Sequence, residues 1–263
     1  MRASPQAGAE HRASPRSPAG ALVAGLVVPH APVLVEGVCE GRRAATEPMR
    51  RAARSLDLSD CDLVVVLSPH GETPGVYTKP EGDLRSFGVD LDLTCDGVPE
   101  AAAEIAGRWG RPLIDGAADH GALVPLALMG PHPPAVCCAV RDGDPSASAD
   151  ARALAAALMS MTAPAKWAFV ASVNTSAGLS PRAPLTELSG ARVAEEDFLT
   201  ALGRDAGETA EAGRRLQERG GSCAAAPLAA LARLFDGLPA KVHAYEAPFG
   251  VGYVVAEVRP RLG

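Results

Sequence analysis

Aromatic residues are scarce in this chain of 263 residues: two Trp, three Tyr and five Phe, 4% in all. A core short of rings must be filled by Ala, Val and Leu, which suits small-faced helices packed on a sheet. Lysine is nearly absent too, with Lys79, Lys166 and Lys241 the only three, and the net charge is −6. Basic residues pair only at Arg42-Arg43, Arg50-Arg51 and Arg214-Arg215. No basic face for a phosphate backbone follows from that, so nucleic acid is not expected as a partner. No apolar run approaches the roughly 20 residues of a membrane span, so no membrane partner is expected. The chain also lacks a Walker loop, a GxGxxG, a GxSxG and an HExxH, which removes the usual nucleotide, serine-hydrolase and zincin signatures. Its six cysteines (Cys39, Cys61, Cys95, Cys137, Cys138 and Cys223) form no CxxC. A chain this long buries its core without disulfides. Reduced thiols and a cytoplasmic location are therefore expected.

What is present alternates between strand and helix. Residues 1–19, rich in Ser, Pro, Arg and Ala without periodicity, read as a disordered leader, and residues 20–263 as one domain. The apolar stretch Ala19 to Val28 follows basic residues as a signal peptide would. It runs instead into Pro29-His30-Ala31-Pro32 without a small-x-small cleavage site, so Leu22 to Val28 is expected to be a first strand. Residues 41–57 have helical spacing. Leu63 to Leu67 is an apolar, mostly β-branched run that enters Ser68-Pro69-His70-Gly71, the mark of a strand buried on both faces. Turn residues predict a loop over 72–86, followed by a strand from Phe87 to Leu93. Helices are expected at Val98–Trp109, at Ala122–Met129 capped by Asp119, and at Ala149–Met161. Further strands are expected at Ala135–Val140 and Trp167–Val173. Three helices (192–203, 207–218, 223–235) and a closing strand pair, Lys241–Tyr245 and Val251–Val258, complete the chain. This is the pattern of a single-domain α/β sandwich with a mostly parallel or mixed central sheet flanked by helices.

His30 and His70 each follow Pro at the end of a predicted core strand. The carboxyl edge of such a sheet is where ligands bind, and two imidazoles delivered there can share a metal ion. Glu246, a carboxylate in the closing apolar segment, is the candidate third ligand, giving two His and one carboxylate on one side of the metal. His120, in Asp119-His120-Gly121, opens a helix and is a candidate donor to a ligand. His132 sits among prolines and reads as a turn residue. Lys79 and Arg85, in the loop after His70, are the nearby cations.

Together, Pro29-His30-Ala31-Pro32, Ser68-Pro69-His70-Gly71 and Asp119-His120-Gly121-Ala122-Leu123-Val124-Pro125-Leu126-Ala127-Leu128-Met129 resemble the class III extradiol ring-cleavage dioxygenases. The narrower resemblance is to the catalytic B-subunit superfamily typified by protocatechuate 4,5-dioxygenase, with Tyr245 to Tyr253 similar to the end of uncharacterised actinobacterial members. The resemblance implies a non-haem Fe(II), with Zn(II) the alternative, held by His30, His70 and Glu246. It implies a catecholic or related small aromatic substrate, O2 as co-substrate, and an assembly that is often dimeric, so a homodimer is among the expected states. The family's general base is a His in a Gly-Asp-Leu-Ser-His-like loop. Here the loop reads Asn174-Thr175-Ser176-Ala177, and Ala177 stands where that His belongs. Ser176, Asn174 or His120 would have to take over proton transfer. The alternative is a metal-binding relative, Memo-like or hydrolytic or redox, that does not cleave rings.

Overall fold

The fold was obtained as a computed structural model that describes residues 20–162 and 166–260. The predicted leader at 1–19 lies outside them. Strand β1 (Ala21–Val28) is followed by a 3-10 turn at Glu40–Arg42 and helix α1 (Arg43–Arg54). Strand β2 (Leu63–Ser68) reverses at Pro69 into β3 (His70–Tyr77), and a ribbon of β4 (Glu81–Asp83) and β5 (Asp92–Thr94) follows. Then come α2 (Pro99–Trp109), β6 (Leu113–Ile114), α3 (His120–Met129), β7 (Ala135–Arg141), α4 (Ala147–Met159) and β8 (Lys166–Ser172). Helices α5 (Ala191–Arg204), α6 (Ala206–Gly220) and α7 (Ala225–Leu234) precede the closing hairpin of β9 (Lys241–Glu246) and β10 (Tyr253–Val258).

The main sheet has eight strands in the order β6-β3-β7-β2-β8-β1-β10-β9. The four at its centre, β7, β2, β8 and β1, are mutually parallel. Strands β3 and β10 pair antiparallel at the flanks, so the sheet is mixed, as expected. The central strands alternate between two cores. Leu63, Val65 and Leu67 of β2 and Trp167 and Phe169 of β8 pack toward α2, α4, α5, α6 and α7, while Val64, Val66, Ala168 and Val170 pack toward α1 and α3. Burial on both faces is the reason these strands read as unbroken apolar runs.

Two sequence expectations need correction. Much of the 72–86 segment is not loop: β3 extends to Tyr77 and β4 lies beyond it. Thr73-Pro74-Gly75 sits where the β3–β7 register shifts between His70 and Gly75, and a bulge of that kind is where a sheet tolerates proline. Phe87 to Leu93 is not a strand. Arg85–Phe87 is a 3-10 turn ended by Gly88 in the left-handed region (φ 75°), and pairing begins only at Asp92. Among the described residues no helix is long and apolar enough to cross a membrane.

Candidate metal centre

The parallel strands deliver their carboxyl ends to one edge of the sheet. His30 leaves β1 and His70 leaves β2, but these strands are not neighbours, because β8 runs between them. At about 4.8 Å per strand, the two histidines start on strands roughly 10 Å apart. Their side chains lean toward each other over the end of β8, and the two Nε2 atoms meet at 3.0 Å. His30 is buried and His70 partly so.

The residue beneath them, Ser172 at the end of β8, sets the chemistry of His30. Its hydroxyl donates to the Gly121 carbonyl at 2.5 Å. That commits its only proton, so the 2.8 Å contact with His30 Nδ1 is donated by the imidazole. His30 thus carries its proton on Nδ1 and presents the Nε2 lone pair to the cluster, the orientation a metal-binding imidazole needs. The main-chain N–H of His30 donates to Asn174 Oδ1 at 3.1 Å.

His70 is anchored by a second chain of hydrogen bonds. Its main-chain N–H donates to Ser68 Oγ (3.1 Å), and Ser68 donates to Asp119 Oδ1 (2.5 Å). Asp119 Oδ1 also takes the Gly121 N–H (2.8 Å), which caps α3, and Oδ2 takes the Tyr77 hydroxyl (2.9 Å). Burial, and then the Asp119 carboxylate, push the Tyr77 phenol far up, so it serves as a fixed donor. Gly121 packs against Ser68 Oγ and the His70 ring with no room for a Cβ. Gly121→Ala is therefore expected to displace Ser68 and His70 and weaken metal binding by at least the roughly 10–100-fold that follows loss of an outer hydrogen-bond partner. A chelator-competition titration measures it.

His120, the first residue of α3, lies flat against His70 (ring centroids 4.6 Å apart, 20° between planes) and edge-on to Phe87 (4.7 Å). Burial, with the neighbouring His70 second, holds its pKa down to about 4. Burial likewise lowers His30, helped by His70 and His120, and lowers His70 against the opposing pull of Asp119 and Asp142. Near neutral pH these imidazoles are uncharged, so each can offer a ring nitrogen to an ion without a net loss of protons.

The third donor is a thiol. Cys223 lies between Gly221, the left-handed cap of α6 (φ 65°), and the start of α7, with Sγ 3.3 Å from His30 Nε2. The donor atoms of His30, His70 and Cys223 all lie within 4.8 Å of one another. Tetrahedral coordination at about 2.0–2.1 Å to nitrogen and 2.3 Å to sulfur places donor atoms roughly 3.3–3.6 Å apart. The 3.0 and 3.3 Å separations found here are close to that spacing, so small side-chain movements suffice to admit an ion. Burial, and then the charge of Asp142, push the Cys223 thiol up to about 12. It is protonated until a cation displaces the proton.

The residues singled out in the sequence separate into two groups. His30 and His70 come together, with His120 beside them and Asn174 against His30. Glu246 does not join them. It is exposed at the end of β9, the outermost strand, with β10 between β9 and β1, and no carboxylate belongs to the donor cluster among the described residues. Ser176 is buried away from the centre, its hydroxyl directed at the Ala191 carbonyl and packed on Gly220. Ala177 is held through its main chain to Gly220 and Leu185. Arg85 is occupied by Asp83, Asp90 and Asp92 and braces the β4–β5 ribbon. The sequence marks Cys223 only as one of six reduced thiols. The one local hint was its place after Gly220-Gly221-Ser222, in the break between two helices. A polar cleft of about 650 Å³, lined by His70, Glu72, Thr73, Arg141 and Asp142 among others, adjoins the cluster at His70.

No protein-family model matches the chain, and no curated protein matches it. Among solved structures, the uncharacterized protein JW3007 from Escherichia coli K12 is similar in fold, with a TM-score of 0.60 at 17% identity over 90% of this chain and 99% of that one. At that identity the likeness establishes the fold alone.

Proposed function

We propose that the chain is a metal-dependent protein, related to the extradiol dioxygenases by the motifs it shares with them, in which His30, His70 and Cys223 hold Zn(II) and ring cleavage is not the activity. One observation carries this reading: a cysteine sulfur stands 3.3 Å from His30 Nε2, while the carboxylate of a facial triad, Glu246, lies exposed on the sheet's outer strand. Two imidazoles and a thiolate are a donor set for zinc or copper, whereas ferrous oxygenases use two imidazoles and a carboxylate. Three protein ligands leave a fourth position open, the arrangement of a catalytic and not a structural site. When bound there, Zn(II) supplies Lewis acidity to an oxygen of the ligand. The chain's own residues do the rest. Ser172 fixes the His30 tautomer, His120 offers a neutral imidazole, and the cleft beside His70 admits a small polar molecule.

The test is metal analysis followed by Co(II) substitution. A near-ultraviolet thiolate-to-cobalt band is expected in the wild type and in Glu246→Gln, and is expected to vanish in Cys223→Ser. A band that depends on Glu246 and ignores Cys223 would overturn the reading.

A further expectation concerns protons. The Cys223 thiol lies near 12 without metal and must ionise to bind, so metal uptake near pH 7.5 should release one more proton per ion in the wild type than in Cys223→Ala. The sign follows directly: affinity rises with pH, by about tenfold per unit for one released proton. The imidazoles, all depressed, add further proton competition only below the ordinary histidine range. Calorimetry in buffers of different ionisation enthalpy counts the protons.

A second reading is an Fe(II) extradiol dioxygenase acting on a catecholic substrate with O2. It is favoured by the neutral imidazole of His120 lying flat on His70, a donor beside the open position. Anaerobic Fe(II) loading and oxygen uptake over a panel of catechols decide it. Iron-loaded protein that consumes no oxygen with any diol would exclude it.

A further inference from the structure

Asn174 follows β8 by two residues and touches the segments that carry two of the three donors. Its Oδ1 accepts the His30 main-chain N–H (3.1 Å), and its own carbonyl accepts the Ser222 hydroxyl (2.8 Å), one residue before Cys223. The first contact decides which way the amide faces, because an N–H can point only at the oxygen. The Nδ2 group is thereby fixed with two donors to satisfy. Among the described residues it has no hydrogen-bond acceptor, and Asn174 is only partly buried. An amide nitrogen has no basic lone pair, which makes Asn174 unsuited to the proton-transfer role that the sequence left open for it. Its chemistry is donation.

We propose that the Asn174 side-chain amide donates to an anionic oxygen of the ligand that docks at the His30/His70/Cys223 centre, and so selects ligands that present such an oxygen: carboxylates, phenolates or hydroxamates. The inference rests on the metal reading above. The donor is pre-oriented by the His30 main-chain N–H, which holds the amide oxygen, so it does not have to be reorganised when the ligand arrives. A hydrogen bond to a charged oxygen is among the stronger polar contacts available to a side chain.

The experiment uses Co(II)-loaded full-length protein. Acetohydroxamate supplies the anionic oxygen and imidazole is the neutral probe, each followed by its perturbation of the cobalt spectrum. Asn174→Asp keeps an oxygen for the His30 N–H and removes both donors. Asn174→Ala removes the donors without adding charge. The ratio of acetohydroxamate to imidazole affinity is expected to fall about 10- to 100-fold in both variants; loosening of His30 by loss of the Asn174 oxygen would weaken both probes alike and leave that ratio unmoved. An unchanged acetohydroxamate affinity in Asn174→Ala overturns the proposal. So does an equal fall for both probes, which would assign Asn174 to holding the ligand residues and nothing more. Should the new carboxylate of Asn174→Asp itself join the metal, visible as an altered spectrum before any probe is added, Asn174→Ala alone decides. If the wild type binds no Co(II), the metal reading has failed, and that is seen before either probe is used.

Discussion

Cys223→Ala is expected to lower Zn(II) affinity by well over 100-fold, and Ser172→Ala by roughly 10–100-fold. The two substitutions act at different distances from the ion. Cys223 supplies one of the three donors that the described residues gather at the centre. Without it, a pair of imidazoles remains, and an ion held by two neutral ligands exchanges readily with solvent and chelators. Ser172 never touches the ion. Its oxygen accepts from His30 Nδ1 at 2.8 Å because its proton is given to the Gly121 carbonyl. Alanine there leaves the imidazole free to rotate and to change tautomer, and loss of an outer partner of that kind typically costs 10–100-fold in metal affinity. Competition against a chromophoric chelator measures both. Glu246→Gln, on the outer strand, should leave the affinity at the wild-type value. A Ser172→Ala affinity equal to wild type would mean that His30 is held by its burial alone.

Glu195→Ala is expected to destabilise the fold by about 3–5 kcal/mol. Glu195, on α5, is buried at 3% exposure. Its carboxylate accepts the Thr175 hydroxyl and the Ser176 main-chain N–H (3.0 Å). Alanine strands both donors where water has poor access, and each unsatisfied donor costs about 1–3 kcal/mol. Partial relaxation keeps the sum below the upper limit of that range. Gly252 is part of the same arrangement, because a Cβ there would strike Thr175 Oγ1 and the carboxylate. The effect should reach the metal centre as well, since the gripped residues directly follow Asn174, which holds the His30 backbone. Urea denaturation gives the stability change, and the chelator titration shows whether metal affinity falls with it. Glu195→Gln retains one acceptor oxygen and should lose less on both measures.

The core strands were plain in the sequence because burial on both faces leaves a local trace. Leu63-Val64-Val65-Val66-Leu67 and Trp167 to Ala171 are apolar without alternation, and each lies in a central strand. The Asp119 cap of α3 was equally legible, since capping is decided within two residues. Phe87 to Leu93 misled because its alternation of residue types carries no partner strand. The observed ribbon pairs only three residues on each side. Thr73-Pro74-Gly75 misled in the opposite direction: turn residues there serve a bulge inside β3.

The α/β class, the strands that carry His30 and His70, and the placing of both imidazoles at strand ends are local in origin. Periodicity, turn chemistry and capping act over a few residues, so they can be read from a few residues. Which third side chain joins the two imidazoles is settled by long-range packing. Cys223 is 153 positions beyond His70 in the chain, and it reaches the cluster because the break between α6 and α7 is folded over the end of β8. Glu246 is lost to the cluster because β9 takes the outer edge of the sheet. Which of two distant side chains completes a site depends on strand order and helix packing, and neither leaves a mark on the residues themselves.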